Sequence, residues 1–396
     1  MSKRVLVVPD VHGCSFWKEP VRKYIDHVDR IVFLGDYLDP YRDERIEYTP
    51  EGVYENLMEI IQLKLDNMVK VILLKGNHDQ HYSSRRFYDL ARGSRCDKIN
   101  WDKYHKAFNQ NKDLFQLAYL EIVNGFPYVF THAGLTVYWL NKVNSKIWRL
   151  SDSGISLADQ NIIDRINLLD KDVIGQEMLA IVGKSRSIFY GEKTGSVLWA
   201  DIEEHPLSHP PKAYGLNKVF QIFGHTRLDG MQEEMIASDH LAMVDSQKCF
   251  MIDDSIKKKI MNYCDYEDIM IEEWFKKRYS KRIEWSKNFT DLEPICFFLH
   301  GLIDYDEEIL DRNLPFIRII EKDLLDRGIL SFKIESPEDI YKVGEIDSVA
   351  KKIQYFICLA LKFKEESWRW DKNENRYICK AEREKGFPYL KNKKIE

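Results

Sequence analysis

Ile31-Val32-Phe33-Leu34-Gly35-Asp36-Tyr37-Leu38-Asp39 holds the pattern that decides the fold. An apolar run without polar alternation suits a strand covered on both faces. A glycine then permits a tight turn, and two carboxylates follow it. The same order recurs on either side. Upstream, Arg4-Val5-Leu6-Val7-Val8 runs into Asp10-Val11-His12-Gly13. Downstream, Val71-Ile72-Leu73-Leu74 leads to Gly76-Asn77-His78-Asp79, Tyr128-Val129-Phe130 to Thr131-His132-Ala133-Gly134, and residues 219–223 to Gly224-His225-Thr226. Between the second and third runs, Thr49 is placed to cap a helix with Pro50 in its first turn, and Leu57, Ile60, Ile61, Lys64 and Leu65 continue at helical spacing. Residues 241–244 and 249–252, separated by Asp245-Ser246-Gln247-Lys248, are expected to form a closing hairpin. The alternation predicts an α/β fold. In an open α/β sheet the carboxyl ends of the strands line the ligand crevice, so these motifs should converge on one edge.

Their chemistry is coherent. Carboxylate, amide oxygen and imidazole together suit divalent Mn, Fe or Zn, and the lack of thiolate speaks against a structural zinc site. Water attacking a crowded phosphate ester needs a hydroxide at neutral pH and positive charge to offset repulsion; a metal pair about 3.5–4 Å apart supplies both. One carboxylate must then bridge the ions, and Asp36, central among the motifs, is the choice. His27, His105, His240 and His300 are read as ordinary structural histidines.

Composition sets the bounds. The chain has 396 residues, 44% of them hydrophobic, enough for about two domains. Of its 59 Lys+Arg and 64 Asp+Glu, residues 255–396 hold 28 of each, so the net charge of −5 comes from the front part. Nucleic acid is not favoured as a partner, because binding by counterion release needs a basic excess. An acidic region that handles phosphate must borrow its cations, which again points to metal. The seven cysteines are scattered without a Cys-x-x-Cys pair, so reduced thiols are expected. No apolar run approaches the ~18 residues of a membrane span, and the first strand meets Pro9-Asp10 too early for a signal-peptide core. The expected setting is the cytoplasm, with no membrane partner.

The series Asp-x-His-Gly, Gly-Asp-x-x-Asp, Gly-Asn-His-Asp, His-Ala-Gly-Leu and Gly-His-Thr resembles the calcineurin-like metallophosphoesterase superfamily. Within it, the phosphoprotein-phosphatase branch, with its bacterial and small-molecule members, is the more similar. Trp101, Tyr104 and Phe108 followed by Phe115 and Ala118 resemble the segment before that branch's His-Gly-Gly motif, and Leu198-Trp199-Ala200-Asp201 resembles its Leu-Trp-Ser-Asp signature. The resemblance covers residues 1–254 and implies a metallophosphoesterase core of β-sheets flanked by helices. It implies one metal on Asp10, His12 and Asp36, and a second on Asp36, Asn77, His132 and His225. It also makes His78, paired with Asp39, the general acid that protonates the leaving alkoxide, a role suited to a histidine held cationic by a carboxylate.

The departures concern phosphate. Where the family continues its second motif with a clamping arginine, Asp39 is followed by Pro40-Tyr41-Arg42, and residues 202–224 hold only Lys212 and Lys218 as cations. Arg42 is the expected replacement, joining Asn77 as a substrate contact, with Arg85, Arg86 and Arg227 behind it. The expected function is a dinuclear metal-dependent phosphatase hydrolysing phosphomonoesters, on protein or small molecule, by attack of a metal-bound hydroxide. Mn is the expected ion in vitro, with Fe and Zn also suited. The alternatives are hydrolysis of a phosphodiester, a dinucleoside polyphosphate or a nucleic acid, and a non-catalytic recruitment scaffold.

Composition shifts at Asp253-Asp254-Ser255 and Lys257-Lys258-Lys259, marking domains at 1–254 and 255–396. The second is expected to be helix-rich, from the face of Ile269, Met270 and Trp274, the capping-box signature Ser336-Pro337-Glu338-Asp339, and a stripe from Ile346 to Leu361. It is an accessory domain of unknown function, through which a protein partner would bind. The basic aromatic segment 275–287 is read as a solvated helix face.

Overall fold

The computed structural model describes residues 3–41, 49–83, 85, 87, 95–151, 155–186, 191–228, 235–256, 259–266, 316–319, 329–335, 363–364, 369–371 and 376–383. The chain divides into two compact units, Met1–Tyr263 and Cys264–Glu396.

In chain order the first unit contains β1 (Arg4–Val8), α1 (Lys18–Tyr24), β2 (Arg30–Phe33), α2 (Pro50–Asp66), β3 (Val71–Leu74), α3 (Asn77–Ser83) and α4 (Trp101–Gln110). There follow β4 (Phe115–Gln116), β5 (Ala118–Val123), β6 (Phe126–Thr131), α5 (Val137–Val143), α6 (Gln160–Leu168) and α7 (Val173–Leu179). The unit closes with β7 (Phe220–Phe223), β8 (Ile236–Ala237), β9 (Leu241–Met243), β10 (Phe250–Asp253) and β11 (Met261–Asn262). The strands form two sheets, ordered β11-β10-β1-β2-β3-β4 and β5-β6-β7-β9-β8.

The motif-bearing strands are therefore shared between two sheets and do not lie in one. β1, β2 and β3 run parallel in the first, with Val7 opposite Val32 and Val32 opposite Ile72. β6 and β7 run parallel in the second, with Tyr128 opposite Phe220. Val5, Val7, Val32 and Leu74 of one sheet pack with Phe130, Phe220, Ile222 and Ala242 of the other in one apolar core. That burial goes with the unbroken apolar runs: besides the core between the sheets, α2 packs beside β3 and buries Val53, Leu57, Ile60 and Ile61. Beyond the second sheet, Trp139, Leu140, Ile162, Ile163 and Leu179 of the helical layer gather with Val129. Thr49 caps α2, its hydroxyl accepting from the Gly52 N–H at 3.1 Å, with Pro50 in the first turn as expected.

The expected closing hairpin does not form. β9 pairs with β7 and β8, whereas β10 pairs with β1 and β11, so residues 244–249 cross from one sheet to the other. Both strands are buried throughout, and local sequence does not distinguish two strands of one hairpin from two strands of facing sheets. The crossing carries Asp245 into the interior, where it is 2% exposed.

In the second unit, β12 (Phe316–Ile319), β13 (Ile329–Glu335), β14 (Phe363–Lys364), β15 (Arg369–Asp371) and β16 (Arg376–Arg383) form an antiparallel sheet ordered β12-β13-β16-β14, with β15 also on β16. The stretches read as helical, 269–287, 336–339 and 346–361, lie outside the described residues. This sheet differs from the helix-rich expectation for 255–396, and Leu330, Phe332 and Ile334 alternate with Ser331, Lys333 and Glu335 at the strand period. Among the described residues no helix is long and apolar enough to cross a membrane.

Candidate active site

The carboxyl ends of β1, β2, β3, β6 and β7 meet. Asp10 and His12 follow β1, Asp36 and Asp39 follow β2, Asn77 and His78 open α3, His132 follows β6 and His225 follows β7. Asp10, His12, Asp36, Asp39, Asn77, His132 and His225 are all buried. Two sets of potential ligand atoms, Asp10/His12/Asp36 and Asp36/His132/His225, each lie within 4.8 Å of one another, and Asp36 belongs to both. His132 Nε2 and His225 Nδ1 each stand 2.9 Å from Asn77 Oδ1. Asp36 Oδ2 is 3.5 Å from His132 Nε2 and 3.7 Å from His12 Nε2.

The imidazoles are aimed from behind. His12 Nδ1 donates to the Leu38 carbonyl and His132 Nδ1 to the Leu34 carbonyl, each at 2.9 Å, so the Nε2 atoms are left facing inward as acceptors. The backbone is bent to the same end: His12, Asp36, Asp39 and His225 all have left-handed φ, between 45° and 69°. A non-glycine residue there costs about 1–2 kcal/mol, and such residues collect at functional sites. Close approach requires glycine at two places. A Cβ on Gly76 would lie 2.0 Å from Asp36 Oδ1, and one on Gly224 would lie 1.9 Å from Asp10 Oδ1.

Electrostatically the ligand set itself is made of carboxylates and imidazoles whose protonation is shifted by burial. Burial and the charges of Asp245 and Asp36 push Asp10 well above the usual carboxylate range. Burial raises Asp36 to about 6, against the opposing effect of His78. Burial lowers His132 to about 3 and holds His12 and His225 well below their usual value, so all three are neutral acceptors. Asp10 Oδ1 and His225 Nε2 are buried without a hydrogen-bond partner among the described residues. Orphaned carboxylate oxygen beside neutral imidazoles is a donor set that fits divalent metal.

His78 stands apart from this set. Its Nδ1 donates to Asp39 Oδ2 at 2.7 Å, and Asp39 Oδ1 accepts from the Tyr82 hydroxyl, which itself accepts from the Asp97 N–H at 2.7 Å. Burial alone would lower the His78 imidazole, but the Asp36 charge and the Asp39 hydrogen bond and charge outweigh it and hold the ring above its usual value. Around α3, the Trp101 indole donates to the His81 carbonyl, and Tyr82 stacks on Phe108. His105 and His240 bond the Tyr82 and Pro206 carbonyls, in keeping with structural roles, and His300 lies outside the described residues.

Several residues of the site were not assigned from sequence. Asp79 accepts from the N–H groups of Asp36, Tyr37 and Gly76 at 2.8, 2.9 and 2.8 Å, tying two motif loops together. Asp79→Asn places an amide donor against these donors, and is expected to lower unfolding free energy by about 1–3 kcal/mol in a denaturant titration. Asp245 passed as a turn residue, yet it faces Asp10. Arg186 donates to Asp201 Oδ2 at 2.6 Å, the Thr226 hydroxyl at 2.8 Å and the His225 carbonyl at 3.2 Å, joining the Trp-Ala-Asp stretch to the last motif. Arg186 precedes both motifs in sequence and so lies outside the interval 202–224. Arg42 and Arg86 lie outside the described residues. Arg85 is exposed over the Trp101 ring, whereas Arg227 lies against Tyr41 beside the cluster.

Residues 3–179 match the family model for calcineurin-like phosphoesterases. Over these residues the chain is similar to that family. The match marks the chain as a phosphoric ester hydrolase, and its Asp and His clusters are able to bind metal. No curated protein matches the chain in sequence. Among solved structures, a protein serine/threonine phosphatase from Saccharomyces cerevisiae with similarity to human phosphatase PP5 is 17% identical, with a TM-score of 0.36, over 63% of this chain and 72% of that one. Yfce, a phosphoesterase from E. coli, is 19% identical at a TM-score of 0.19, over 33% and 57%. A metallophosphoesterase from Sphaerobacter thermophilus is 18% identical at 0.20, over 34% and 48%.

Proposed function

We propose that this protein is a dinuclear metal-dependent phosphatase for phosphomonoesters, with catalysis in residues 1–254 and an accessory domain in 255–396. The observation that carries this is the sharing of Asp36 between two adjacent ligand sets. Asp10, His12 and Asp36 would hold one ion, and Asp36, Asn77, His132 and His225 the other; the oxygen and nitrogen donors suit Mn, with Fe and Zn also accommodated. Divalent ions bound in these places supply positive charge against a crowded anion and make a water acidic enough to attack near neutral pH. The chain's own groups do the rest. Asp39 fixes His78 through Nδ1, so Nε2 is the atom that delivers a proton to the leaving alkoxide. Asp79 and the Tyr82 hydroxyl hold the loops so that the acid and the ligands keep their spacing.

Dialysis against EDTA is expected to abolish turnover of p-nitrophenyl phosphate, and Mn is expected to restore it most readily. A panel adding bis-p-nitrophenyl phosphate, a phosphopeptide and a dinucleoside polyphosphate fixes the substrate class. Undiminished turnover after chelation would remove the dinuclear site.

A further inference from the structure

We infer that Arg95, Tyr41 and Arg227 form a preassembled clamp selecting a phosphomonoester dianion over a diester, a step that rests on the phosphatase reading above. Arg95 Cζ lies 3.2 Å from the centre of the Tyr41 ring, and Arg227 Cζ lies 3.7 Å from the same centre. At such separations each carbon must stand over the ring. Two guanidiniums cannot share one face at that range without overlapping, so the phenol is held between them. The sandwich adjoins the cluster, because the same ring meets His12 edge-on, with 4.8 Å between centres and 78° between planes.

The polar atoms call for an anion. Arg95 Nη2 is 3.5 Å from His78 Nε2, the nitrogen left over when Nδ1 bonds Asp39. A guanidinium nitrogen can only donate, so an acceptor oxygen brought beside His78 Nε2 would find Arg95 Nη2 within reach. Arg95 Nη1 is buried and has no hydrogen-bond partner among the described residues. Two cations held on one ring repel each other, and the Asp245 carboxylate lies within the influence of Arg227, Arg186 and Arg95. A phosphoryl dianion supplies both the oxygens and the charge. Guanidinium matches it with a planar fork, and the aromatic face fixes the plane of each fork before substrate arrives. A diester carries a single charge and fewer free oxygens, and gains less. Arg95 and Arg227 would thus take the place of the arginines absent after Asp39 and within 202–224.

The test uses the full chain loaded with Mn, titrated calorimetrically with inorganic phosphate and assayed on p-nitrophenyl phosphate and bis-p-nitrophenyl phosphate. Arg95→Ala and Arg227→Ala should each weaken phosphate binding about tenfold or more and lower monoester kcat/KM comparably, with a much smaller change for the diester. Arg95→Lys and Arg227→Lys should recover only part of the loss. Tyr41 is a positioning residue: Tyr41→Leu should raise monoester KM more than it lowers kcat, and Tyr41→Phe should rescue it. Wild-type phosphate affinity in either alanine variant, or an equal fall on both substrates, would overturn the clamp and leave the hydrolase standing. Loss of metal from an arginine variant on elemental analysis would also overturn it, assigning that residue to support of the cluster. Failure of the wild type to hydrolyse either ester with Mn would overturn the phosphatase reading itself.

Discussion

Asp36→Asn is expected to remove nearly all hydrolysis, on the order of 10⁴-fold or more in kcat/KM, because the charge stabilisation supplied by bound metal is worth several kcal/mol and each 1.36 kcal/mol is a factor of ten. The residue belongs to both ligand sets, so losing its charge weakens both places at once. A second readout makes the assignment specific. In metal-free protein, Asp36 lies buried with Asp10, Asp79 and Asp245; burial pushes these carboxylates upward, and the Asp36 charge adds to the rise at Asp10 and Asp79. Removing one charge relieves that repulsion. Metal-free Asp36→Asn should therefore unfold at or above the melting temperature of metal-free wild type, yet gain little stability when Mn is added. The asparagine Oδ1 can still accept from the His78 N–H, which Asp36 Oδ1 does at 2.9 Å, so the loop after β3 keeps its anchor. Retained Mn stabilisation in this variant would move the bridging role elsewhere.

His78→Asn is expected to keep its metal and lose roughly 10²–10⁴ in rate on an alkyl phosphate, the range of a general acid. The loss should shrink with p-nitrophenyl phosphate, because p-nitrophenolate departs without a proton. Asp39→Asn should give a similar but smaller pattern, since it leaves the imidazole in place and removes the charge that orients it and favours its protonated form. A His78→Asn protein that sheds its metal, or that loses equally on both leaving groups, would show that the histidine supports the cluster and does not deliver the proton.

Much of this was legible in the sequence because the signals are local. The strand runs, the Thr49 cap with Pro50 behind it, and a metal-binding type of side chain after each strand are properties of a few consecutive residues. The ligand candidates follow from them, since a parallel strand has to end somewhere and its last turn is where ligand groups collect. What escaped were groups whose meaning depends on a partner far along the chain. Asp79 has motif neighbours, but its purpose shows only when the N–H groups of Asp36 and Tyr37 are seen on it. Arg186 reaches Asp201 and Thr226, and Arg95 reaches Tyr41 and His78, across sequence separations with no period to betray them.

By itself the sequence determined that the apolar runs before the five motifs are buried strands and which side chains are of metal-binding type, because strand period, glycine freedom and donor chemistry belong to individual residues and their immediate neighbours. Only the tertiary structure decided that the strands divide into two facing sheets, that 241–243 and 250–253 part company around a buried Asp245, and that Tyr41 lies between two arginines. The reason is physical. An apolar run has the same composition whichever sheet covers it, and an arginine has the same charge whether it points at water or stacks on a ring; what separates these cases is the identity of the atoms across the gap, and folding alone brings those atoms together.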